Sequence, residues 1–501
     1  MTLFAAPPTI ALTCGMLALT LAGCAVGPDF RVPAPPPVDR YAAGPAPAAT
    51  VAADAAHGHP QTLAAGMDVL AQWWTLFRSP ELDRAIRTAL AASPTLAQAQ
   101  ARLRQAQENL AAATGATRWP AVDARLDAAR QQINIESLGI RAFPSPGPFT
   151  LYGASVQVSY TLDLFGGNRR ELEGLQAAVD YQRFELEAAR LSLAANVATA
   201  AIGEAGLRAR LADTTALADA QRHQLAIAEE RLRAGGVPAL DVQRQRGELA
   251  QTEALLPELS RQLAATRHQL AVYLGEPPSA AEDAARVPAF ALNRLHLPET
   301  LPLALPSTLA QRRPDIRAAE ALLHRASADI GVATANLYPR LTLSASAGSQ
   351  ASTVREVFDS FNVWSLAAGL VQPVFRGGEL QARKRAAEAA YEQSLAAYRQ
   401  AVLGGLQQVG DTLRALQADA DVLRARADAE QAARATLATV SEQYRLGGVS
   451  QYAALDAQRQ YRQASLALTQ ATVSRFADSA ALLQALGGGW WQEAEVSASG
   501  R

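Results

Sequence analysis

Cysteine and lysine are almost missing from this chain, and neither sign of charge prevails. Its 501 residues include two cysteines, Cys14 and Cys24, and a single lysine, Lys384. Cysteines confined to the first 24 residues cannot cross-link the rest of the chain. The 46 basic and 47 acidic residues nearly cancel, so the composition gives no indication of a nucleic-acid partner.

Aromatic residues are also scarce, at 6%, although 49% of the residues are hydrophobic. Alanine supplies much of the difference, and alanine-rich sequence with interspersed charges favours long helices packed through small side chains. Walker A, H-E-x-x-H and G-x-S-x-G motifs are absent, so no enzyme is predicted. His223, His268 and His324 lack the spacing of metal ligands, so neither a metal nor a cofactor is predicted.

Residues 1–23 are predicted to be a lipoprotein signal peptide. Leu21-Ala22-Gly23-Cys24 resembles the bacterial lipobox, in which the cysteine becomes the acylated N-terminus. We therefore expect S-diacylglycerol and N-palmitoyl groups on Cys24, and Ala25 resembles the next residue of lipoproteins sorted to the outer membrane. A membrane-spanning helix is the alternative, but the apolar run is short and Pro7 and Pro8 interrupt it.

Residues 24–62 are predicted to form a lipidated tether because they are rich in proline and alanine. His57 and His59 lie in this tether, and we interpret them as exposed linker side chains.

From about residue 63 the chain contains one pattern twice. Short motifs recur at an offset of roughly 210–220 residues, far longer than a solenoid repeat. The recurring pairs are Ser93-Pro94 with Arg313-Pro314, Trp119-Pro120 with Tyr338-Pro339, Phe165-Gly166-Gly167 with Phe375-Arg376-Gly377-Gly378, and Arg233-Ala234-Gly235-Gly236-Val237 with Arg445-Leu446-Gly447-Gly448-Val449. We therefore predict a first repeat over 63–304 and a second over 305–501.

Each repeat contains two stretches in which apolar and polar residues alternate. In one of them Val156, Val158 and Tyr160 alternate with Gln157 and Ser159. Strands are predicted at about 119–131, 149–163, 340–349 and 363–374. A tilted strand of this length can cross a bilayer, although an ordinary half-buried sheet shows the same alternation.

Two predicted helices are long enough to favour the membrane interpretation. Residues 168–234 and 379–446 contain no proline, and each helix would extend roughly 100 Å. Soluble domains rarely need such rods. Shorter helices are predicted at about 80–114, 241–274, 307–336 and 452–486. The two short helices of a repeat can stack beside its long one, with the strands at one end and a Gly-Gly turn at the other.

Four strands cannot close a barrel, because bilayer barrels start at eight. Open strand edges in lipid would leave backbone groups unpaired. Membrane insertion would therefore require several chains, and two chains would give a filled barrel whereas three would leave room for a pore.

Several long motifs occur together in the order found in one family. They are Trp73-Trp74, Leu76-Phe77, Tyr160-Thr161-Leu162-Asp163-Leu164-Phe165-Gly166, Leu305-Pro306-Ser307, Arg312-Arg313-Pro314-Asp315-Ile316-Arg317-Ala318-Ala319-Glu320, Ile330-Gly331-Val332-Ala333, Tyr338-Pro339 and Ala485-Leu486-Gly487-Gly488-Gly489-Trp490. From Cys24 to about Trp491 the chain resembles the NodT-type outer-membrane efflux lipoproteins, which are relatives of the TolC-type channels of resistance–nodulation–division pumps.

The resemblance implies an α+β, TolC-like fold with a duplicated unit. It implies a homotrimer with a long α-helical barrel in the periplasm and a shared 12-stranded transmembrane β-barrel, to which each chain contributes four strands. A belt of mixed structure is implied near 63–79, 275–304 and the C-terminal tail. The implied role is a passive exit duct in the outer membrane, fed by a periplasmic adaptor protein and an inner-membrane proton-driven transporter.

Two alternatives share parts of this pattern. A duct for protein secretion has the same architecture, but its members generally resemble proteins without a lipid anchor. A structural coiled-coil lipoprotein would explain the rods and the lipid, but not the strands or the duplication. The exported compound is not predicted.

The helix after the second Gly-Gly turn carries the predicted gate. Asp456 and Arg459 are three residues apart and share a helix face with Tyr452. The segment from Leu455 to Arg459 looks like the family segment that lines the closed aperture, where three copies would form a charged ring narrowed by Tyr452. The alternative is an ordinary charge pair on a solvated helix face.

Asp241 and Arg244 are the matching pair in the first repeat, so they are a second candidate for the gate. The four glycines of the turns, Gly235, Gly236, Gly447 and Gly448, are predicted to end the long helices as C-caps. The exposed tips that they form are also predicted to dock the adaptor protein.

Overall fold

A computed structural model describes residues 25–34, 37–41, 48–134, 139, 146–359 and 361–492. The predicted signal peptide 1–23 and the lipidation site Cys24 lie outside the described residues.

Helices dominate the described part of the chain. They are α1 (Pro80–Ala92), α2 (Pro94–Arg118), α3 (Gly167–Arg233), α4 (Ala239–Tyr273), α5 (Pro306–Arg312), α6 (Pro314–Ala335), α7 (Glu379–Arg445) and α8 (Gln451–Ala485). The long helices α3 and α7 have 67 residues each, and the helices that follow them, α4 and α8, have 35 each. Equal lengths are what an internal duplication produces.

The strands form two sheets. They are β1 (Thr62–Ala65), β2 (Ala121–Gln131), β3 (Phe149–Leu162), β4 (Thr300–Leu303), β5 (Arg340–Ala351) and β6 (Val363–Val371). Strands β1 and β4 pair in parallel, whereas the larger sheet is antiparallel in the order β2-β3-β5-β6. Strands β2 and β6 are therefore its edges.

The chain divides into two compact units that do not follow the sequence repeats. The first comprises Leu103–Gln182, Ala319–Tyr398 and the described part of Met1–Pro33, and it contains the four-stranded sheet. The second comprises Arg183–Ala318 and the described parts of Ala34–Arg102 and Arg399–Arg501. Each unit takes segments from both repeats.

The register of the four-stranded sheet gathers apolar side chains on one face. Val122 pairs with Val158, Val158 with Ala345, and Ala345 with Leu366, which places all four residues on the same side. Leu366 is 77% exposed, although it is apolar. A sheet face that is both apolar and exposed is suited to lipid or to a partner chain.

The opposite face of the same sheet is polar. Asp123, Arg125 and Asp127 of β2 lie on it, and Asp123 pairs with Gln157 across the sheet. The Asp127 carboxylate lies directly over Gly153, where a Cβ atom would come within 3.0 Å of its oxygen. The alternation predicted from the sequence thus separates the two faces.

The second unit has an aromatic core near its first helix. Trp73, Phe77 and Phe476 are almost fully buried in it. Helix α1 begins after Ser79, whose hydroxyl accepts a hydrogen bond from the backbone N–H of Leu82 at 3.3 Å. Such N-caps satisfy a backbone donor that the first turn leaves free.

The sequence-based prediction of one helix over 307–336 is wrong. The structure breaks it into α5 and α6 at Arg313, and the matching helix near 80–114 breaks in the same way at Ser93. Both residues have extended backbone angles, with ψ of 126° and 123°. Each precedes a proline, whose ring disfavours the helical conformation in the residue before it.

The prediction that residues 24–62 form an extended tether is also wrong for the described residues of that range. The Tyr41 hydroxyl donates to the carbonyl of Ala304 at 2.8 Å, and Gln61 is fully buried. The His59 ring is within hydrogen-bond distance of the Leu297 carbonyl, at 3.1 Å. The polar side chains and carbonyls of this segment find specific partners, which its composition does not reveal.

Candidate functional site

The glycine turns end both long helices in the same way. Gly235 has a φ of 71° and donates to the carbonyl of Leu232, while the Gly236 N–H donates to the carbonyl of Arg231 at 2.7 Å. These two bonds define a Schellman C-cap, in which glycine takes the left-handed conformation. The predicted C-cap role of the first turn agrees with this geometry.

The second turn repeats the motif. Gly447 has a φ of 80° and bonds to the carbonyl of Tyr444, and the Gly448 N–H donates to Gln443 at 2.8 Å. A Cβ atom added at Gly447 would meet no other atom within 4 Å, so its glycine is required by backbone conformation and not by crowding.

Tyr452, Asp456 and Arg459 lie on the first three turns of α8. Ser450 caps this helix by accepting from the Ala453 N–H at 3.4 Å. Arg459 donates to the Asp456 carboxylate, and Gln460 donates to its other oxygen at 2.7 Å. The charged pair is thus satisfied within one chain, whereas Tyr452 is 59% exposed.

The matching residues of the first repeat make a different contact. Within the described part of the chain, no ion pair joins Asp241 to Arg244. The Arg244 guanidinium instead lies over the Tyr452 ring, 5.6 Å from its centre. This cation–π contact joins the start of α4 to the start of α8, so the structure brings Arg244 and Tyr452 together.

A cavity of about 230 Å³ lies beside this contact, among the ends of α3, α4, α7 and α8. Gln245 and Gln451 line it, although both are more than nine-tenths buried. Among the described residues, neither polar atom of the Gln451 side chain has a hydrogen-bond partner. Gln458 donates to Gln224 at 3.2 Å across the same space.

Sequence reasoning missed these glutamines because a glutamine near a helix start is typical of a solvated surface. A buried polar group without a partner is uncommon in folded proteins. The cavity therefore indicates loose packing between the helix pair α3–α4 and the helix pair α7–α8, near the glycine turns.

The first unit holds the chain that follows Cys24. The Val26 N–H donates to the Phe165 carbonyl at 3.1 Å, where β3 gives way to α3. The buried Arg170 side chain donates to Asp29 at 2.7 Å and to Glu173 at 2.7 Å. These contacts fix residues 26–29 at the strand-to-helix junction.

A second set of contacts extends this attachment. The Phe30 ring stacks on His324 with 4.4 Å between ring centres, and His324 lies 2.8 Å from the Glu173 carboxylate. Burial opposes ionisation of Glu173, but hydrogen bonds from Arg170 and His324 outweigh it and lower the pKa of Glu173.

Two kinds of feature are not found in the described part of the chain. It contains no group of three histidine, cysteine or acidic side chains arranged to hold a metal. None of its helices combines the length and the hydropathy needed to cross a membrane.

Comparisons with known proteins agree along most of the chain. Residues 85–276 and 305–488 match the family model described as outer membrane efflux protein. The pyoverdine export outer membrane protein OpmQ of Pseudomonas putida is 36% identical over 423 residues, which cover 84% of this chain and 88% of that protein. Outer membrane protein OprJ of Pseudomonas aeruginosa is 29% identical over 497 residues, which cover 96% of each.

Solved structures show the same likeness. The outer-membrane channel OprN matches with a TM-score of 0.80 and 28% identity, over 93% of this chain and 100% of that one. The outer membrane protein VceC of Vibrio cholerae matches with a TM-score of 0.76 and 26% identity, over 84% of this chain and 100% of that one.

Proposed function

The chain belongs to the outer membrane efflux protein family, and from this premise we propose that it is the passive exit duct of a tripartite efflux system. Its α+β, TolC-like fold and its role as an outer-membrane efflux channel, both predicted from sequence motifs, are confirmed. The family and its solved relatives are channel proteins. A duct needs no catalytic group, and its work is to present a continuous polar passage.

The open edges of the four-stranded sheet carry the proposal that the duct is a homotrimer. Strands β2 and β6 each have one unpaired side, and such edges are not tolerated in lipid. If β2 of one chain pairs with β6 of the next, three chains close a barrel of twelve strands, wide enough for a pore. The apolar face of the sheet would then meet lipid, and the face bearing Asp123 and Arg125 would meet the lumen.

Chemical cross-linking in intact membranes tests this assembly. We expect a trimeric species as the largest abundant product. A product that stops at the dimer, or a chain that stays monomeric, would contradict the shared barrel.

We propose that lipid on Cys24 anchors the chain to the outer membrane. The support is the attachment of residues 26–29 at the strand-to-helix junction, where Val26, two residues after Cys24 in the sequence, bonds to Phe165. A Cys24→Ser variant should accumulate as an unprocessed precursor and lose palmitate labelling. Labelling that persists in this variant would refute the lipid anchor.

We also propose that Tyr452, Asp456, Arg459, Asp241 and Arg244 form the gate at the aperture end. The exposure of Tyr452 and its contact with Arg244 support this proposal, because Tyr452 lies where a helix of the first repeat meets a helix of the second. The alternative, a solvated charge pair on α8, predicts that removing the charges changes nothing in conductance.

The turns Gly235-Gly236 and Gly447-Gly448 are the proposed docking tips for a periplasmic adaptor protein, which would link the duct to an inner-membrane proton-driven transporter. Both turns have the same backbone geometry, so an adaptor with repeated hairpins could engage both. Replacing both turns with bulkier residues should abolish adaptor co-purification while trimers persist.

One class of exported compound is favoured by the comparisons. Two relatives named for pyoverdine export are 36% and 35% identical, whereas relatives named for antibiotic or toluene efflux are 29% identical. We propose pyoverdine, or a compound like it, as a substrate of the complete pump. A deletion strain should retain this compound in its cells and lose it from the medium, and unchanged secretion together with increased drug sensitivity would favour a drug pump.

A further inference from the structure

The cavity beside the Arg244–Tyr452 contact is lined by buried amide groups that lack partners. Gln451 is 6% exposed and Gln245 is 8% exposed. Among the residues that the structure describes, neither amide atom of Gln451 has a hydrogen-bond partner, and the Oε1 atoms of Gln245 and Gln458 lack one too. Buried polar groups in folded proteins are nearly always hydrogen-bonded, and here several exceptions gather around one cavity.

Within the described part of the chain, the buried atoms without a partner at this cavity are mostly acceptors. They are the amide oxygens of Gln245, Gln451 and Gln458, together with the amide nitrogen of Gln451, which can donate twice. The Gln458 nitrogen is already used, since it donates to Gln224 at 3.2 Å. An occupant that satisfies this set must therefore both donate and accept hydrogen bonds.

Apolar side chains supply another part of the lining. Ile227 of α3 is 42% exposed, although it is apolar, and Leu455 of α8 lines the same space. Water would leave such side chains without a favourable partner, whereas an apolar body next to the amide groups would cover them. The cavity volume of about 230 Å³ equals that of roughly eight waters, so it has room for one six-membered ring with a small head group.

The charges and hydrogen-bonding groups at the cavity favour an uncharged head group. Arg231 and Arg445 line it, and their positive charges oppose a cation, although Glu442 accepts from Arg445 at 2.9 Å. A carboxylate could accept from these arginines, but it has no hydrogen to donate to the three amide oxygens. A primary carboxamide is uncharged, donates twice and also accepts, so it meets both conditions.

We propose that this cavity is a binding site for a small, uncharged primary carboxamide carried on an apolar ring. The carboxamide pairs with the Gln451 side chain through two hydrogen bonds, because each amide donates one N–H and accepts one. Its second N–H donates to Gln245 Oε1. The ring lies against Ile227 and Leu455.

Such a ligand contacts both helix pairs at once. Ile227 belongs to α3 and Gln245 to α4, whereas Gln451 and Leu455 belong to α8. A ligand shifts a protein toward the arrangement that it binds best, so an occupied cavity should hold α4 and α8 together. This effect on the duct rests on the proposed gate, whereas the binding site itself does not.

Benzamide is the probe for this site, and benzoate and benzylamine match it in size but carry a charge. Binding is measured by ligand-observed NMR on the full chain in lipid nanodiscs, and empty nanodiscs correct for partitioning into lipid. Benzamide, with about nine non-hydrogen atoms, should bind with a Kd on the order of 1 mM. Both charged probes should bind about tenfold more weakly, because they leave amide groups unpaired.

A matched pair of variants tests the role of Gln451. Gln451→Met keeps the length of the side chain but removes the amide pair, so it should weaken benzamide binding about tenfold. Gln243→Met is the control, because Gln243 is an exposed residue of α4 outside the lining of this cavity. It should bind benzamide as the wild type does. If Gln451→Met fails to assemble, Gln245→Met must weaken binding in its place.

Equal binding of the three probes would overturn the proposal, and so would unchanged binding in Gln451→Met, because either result would leave a cavity that selects no amide. Conductance in planar bilayers then separates the site from the gate. Benzamide should lower the conductance of the wild type and leave that of Gln451→Met unchanged. Selective binding with constant conductance would confirm the site and contradict the gate. An absence of binding would overturn the site and leave the gate to be tested by Arg244→Ala.

Discussion

The guanidinium of Arg244 lies over the ring of Tyr452, 5.6 Å from its centre, and joins α4 of the first repeat to α8 of the second. The adjoining cavity contributes little to holding the helices together, because the buried Gln451 side chain that lines it has no hydrogen-bond partner among the described residues. An exposed cation–π contact is worth about 0.5–1 kcal/mol. Helices α4 and α8 are held together this weakly, so they can separate here while the C-caps of α3 and α7 stay intact.

Removing this contact should open the duct. We expect Arg244→Ala to raise single-channel conductance in planar bilayers by a few-fold, because a contact of about 1 kcal/mol shifts a closed–open equilibrium by roughly fivefold. Arg246→Ala is the matched control. Arg246 lies on the same helix but pairs with Glu229 at 2.6 Å, inside the first repeat. Equal conductance in the two variants would argue against a gate at Arg244.

Asp456 and Arg459 provide a separate test of the aperture. Their ion pair lies within one helix and is partly exposed, so its loss should cost at most about 0.5 kcal/mol of stability. If three copies line a closed aperture, the double variant Asp456→Ala, Arg459→Ala should increase conductance and sensitivity to large antibiotics while the melting temperature stays nearly unchanged.

The pair Asp421–Arg424 on α7 has the same spacing and is also exposed, with 3.0 Å between its charged atoms. Alanine at both of these positions should leave conductance and antibiotic sensitivity as in wild type. If both double variants behave alike, the charges on α8 are merely solvated.

Long elements were the part of the fold that the sequence revealed. Helices α3 and α7 lack proline and end at glycine pairs, and apolar and polar residues alternate along most of the strands, so local pattern and structure agree. The helix breaks at Ser93 and Arg313 were missed because a proline one residue later acts on the residue before it. Because this effect is local, the positions of Pro94 and Pro314 were sufficient to predict both helix breaks.

The contacts of Arg475 and the cavity could not be predicted in this way. Arg475 and Gln61 lie more than 400 residues apart in sequence, and their contact depends on how distant segments meet. The composition of residues 48–61 is typical of a linker. Arg475 binds backbone carbonyls of this segment, and because every residue has a carbonyl, composition cannot reveal such a contact. Likewise, Gln245 and Gln451 occupy positions where glutamine is ordinarily solvated.

The attachment of the N-terminal segment should weaken in acid. The pKa of Glu173 is lowered from its ordinary value of 4.5, so its stabilising contribution is present above that value and is lost as pH falls through the lowered one. At neutral pH, Glu173→Gln should therefore mimic the acid state. Faster trypsin cleavage after Arg31 in this variant would report release of the segment.

Arg40 offers a control in the same digest, because it lies outside this attachment and is exposed. Its cleavage rate should be the same in wild type and in Glu173→Gln. A parallel increase at both arginines would indicate general unfolding, and no increase at Arg31 would contradict a role for Glu173 in holding the segment.

The buried pair Glu204–Arg267 should be the ion pair whose loss costs most. Glu204 is fully buried, and its carboxylate accepts from Arg267, Arg208 and the Phe290 N–H. Glu204→Gln removes the buried partner of Arg267 and leaves only the exposed Glu282, 3.7 Å from its Nε, to balance that charge. Removing one partner of a buried ion pair typically costs about 3–5 kcal/mol. We expect a clear fall in the thermal unfolding midpoint of the purified protein. Glu258→Gln, which breaks an exposed pair on α4, should leave the unfolding midpoint unchanged. Equal effects of the two variants would show that burial does not decide the strength of these pairs.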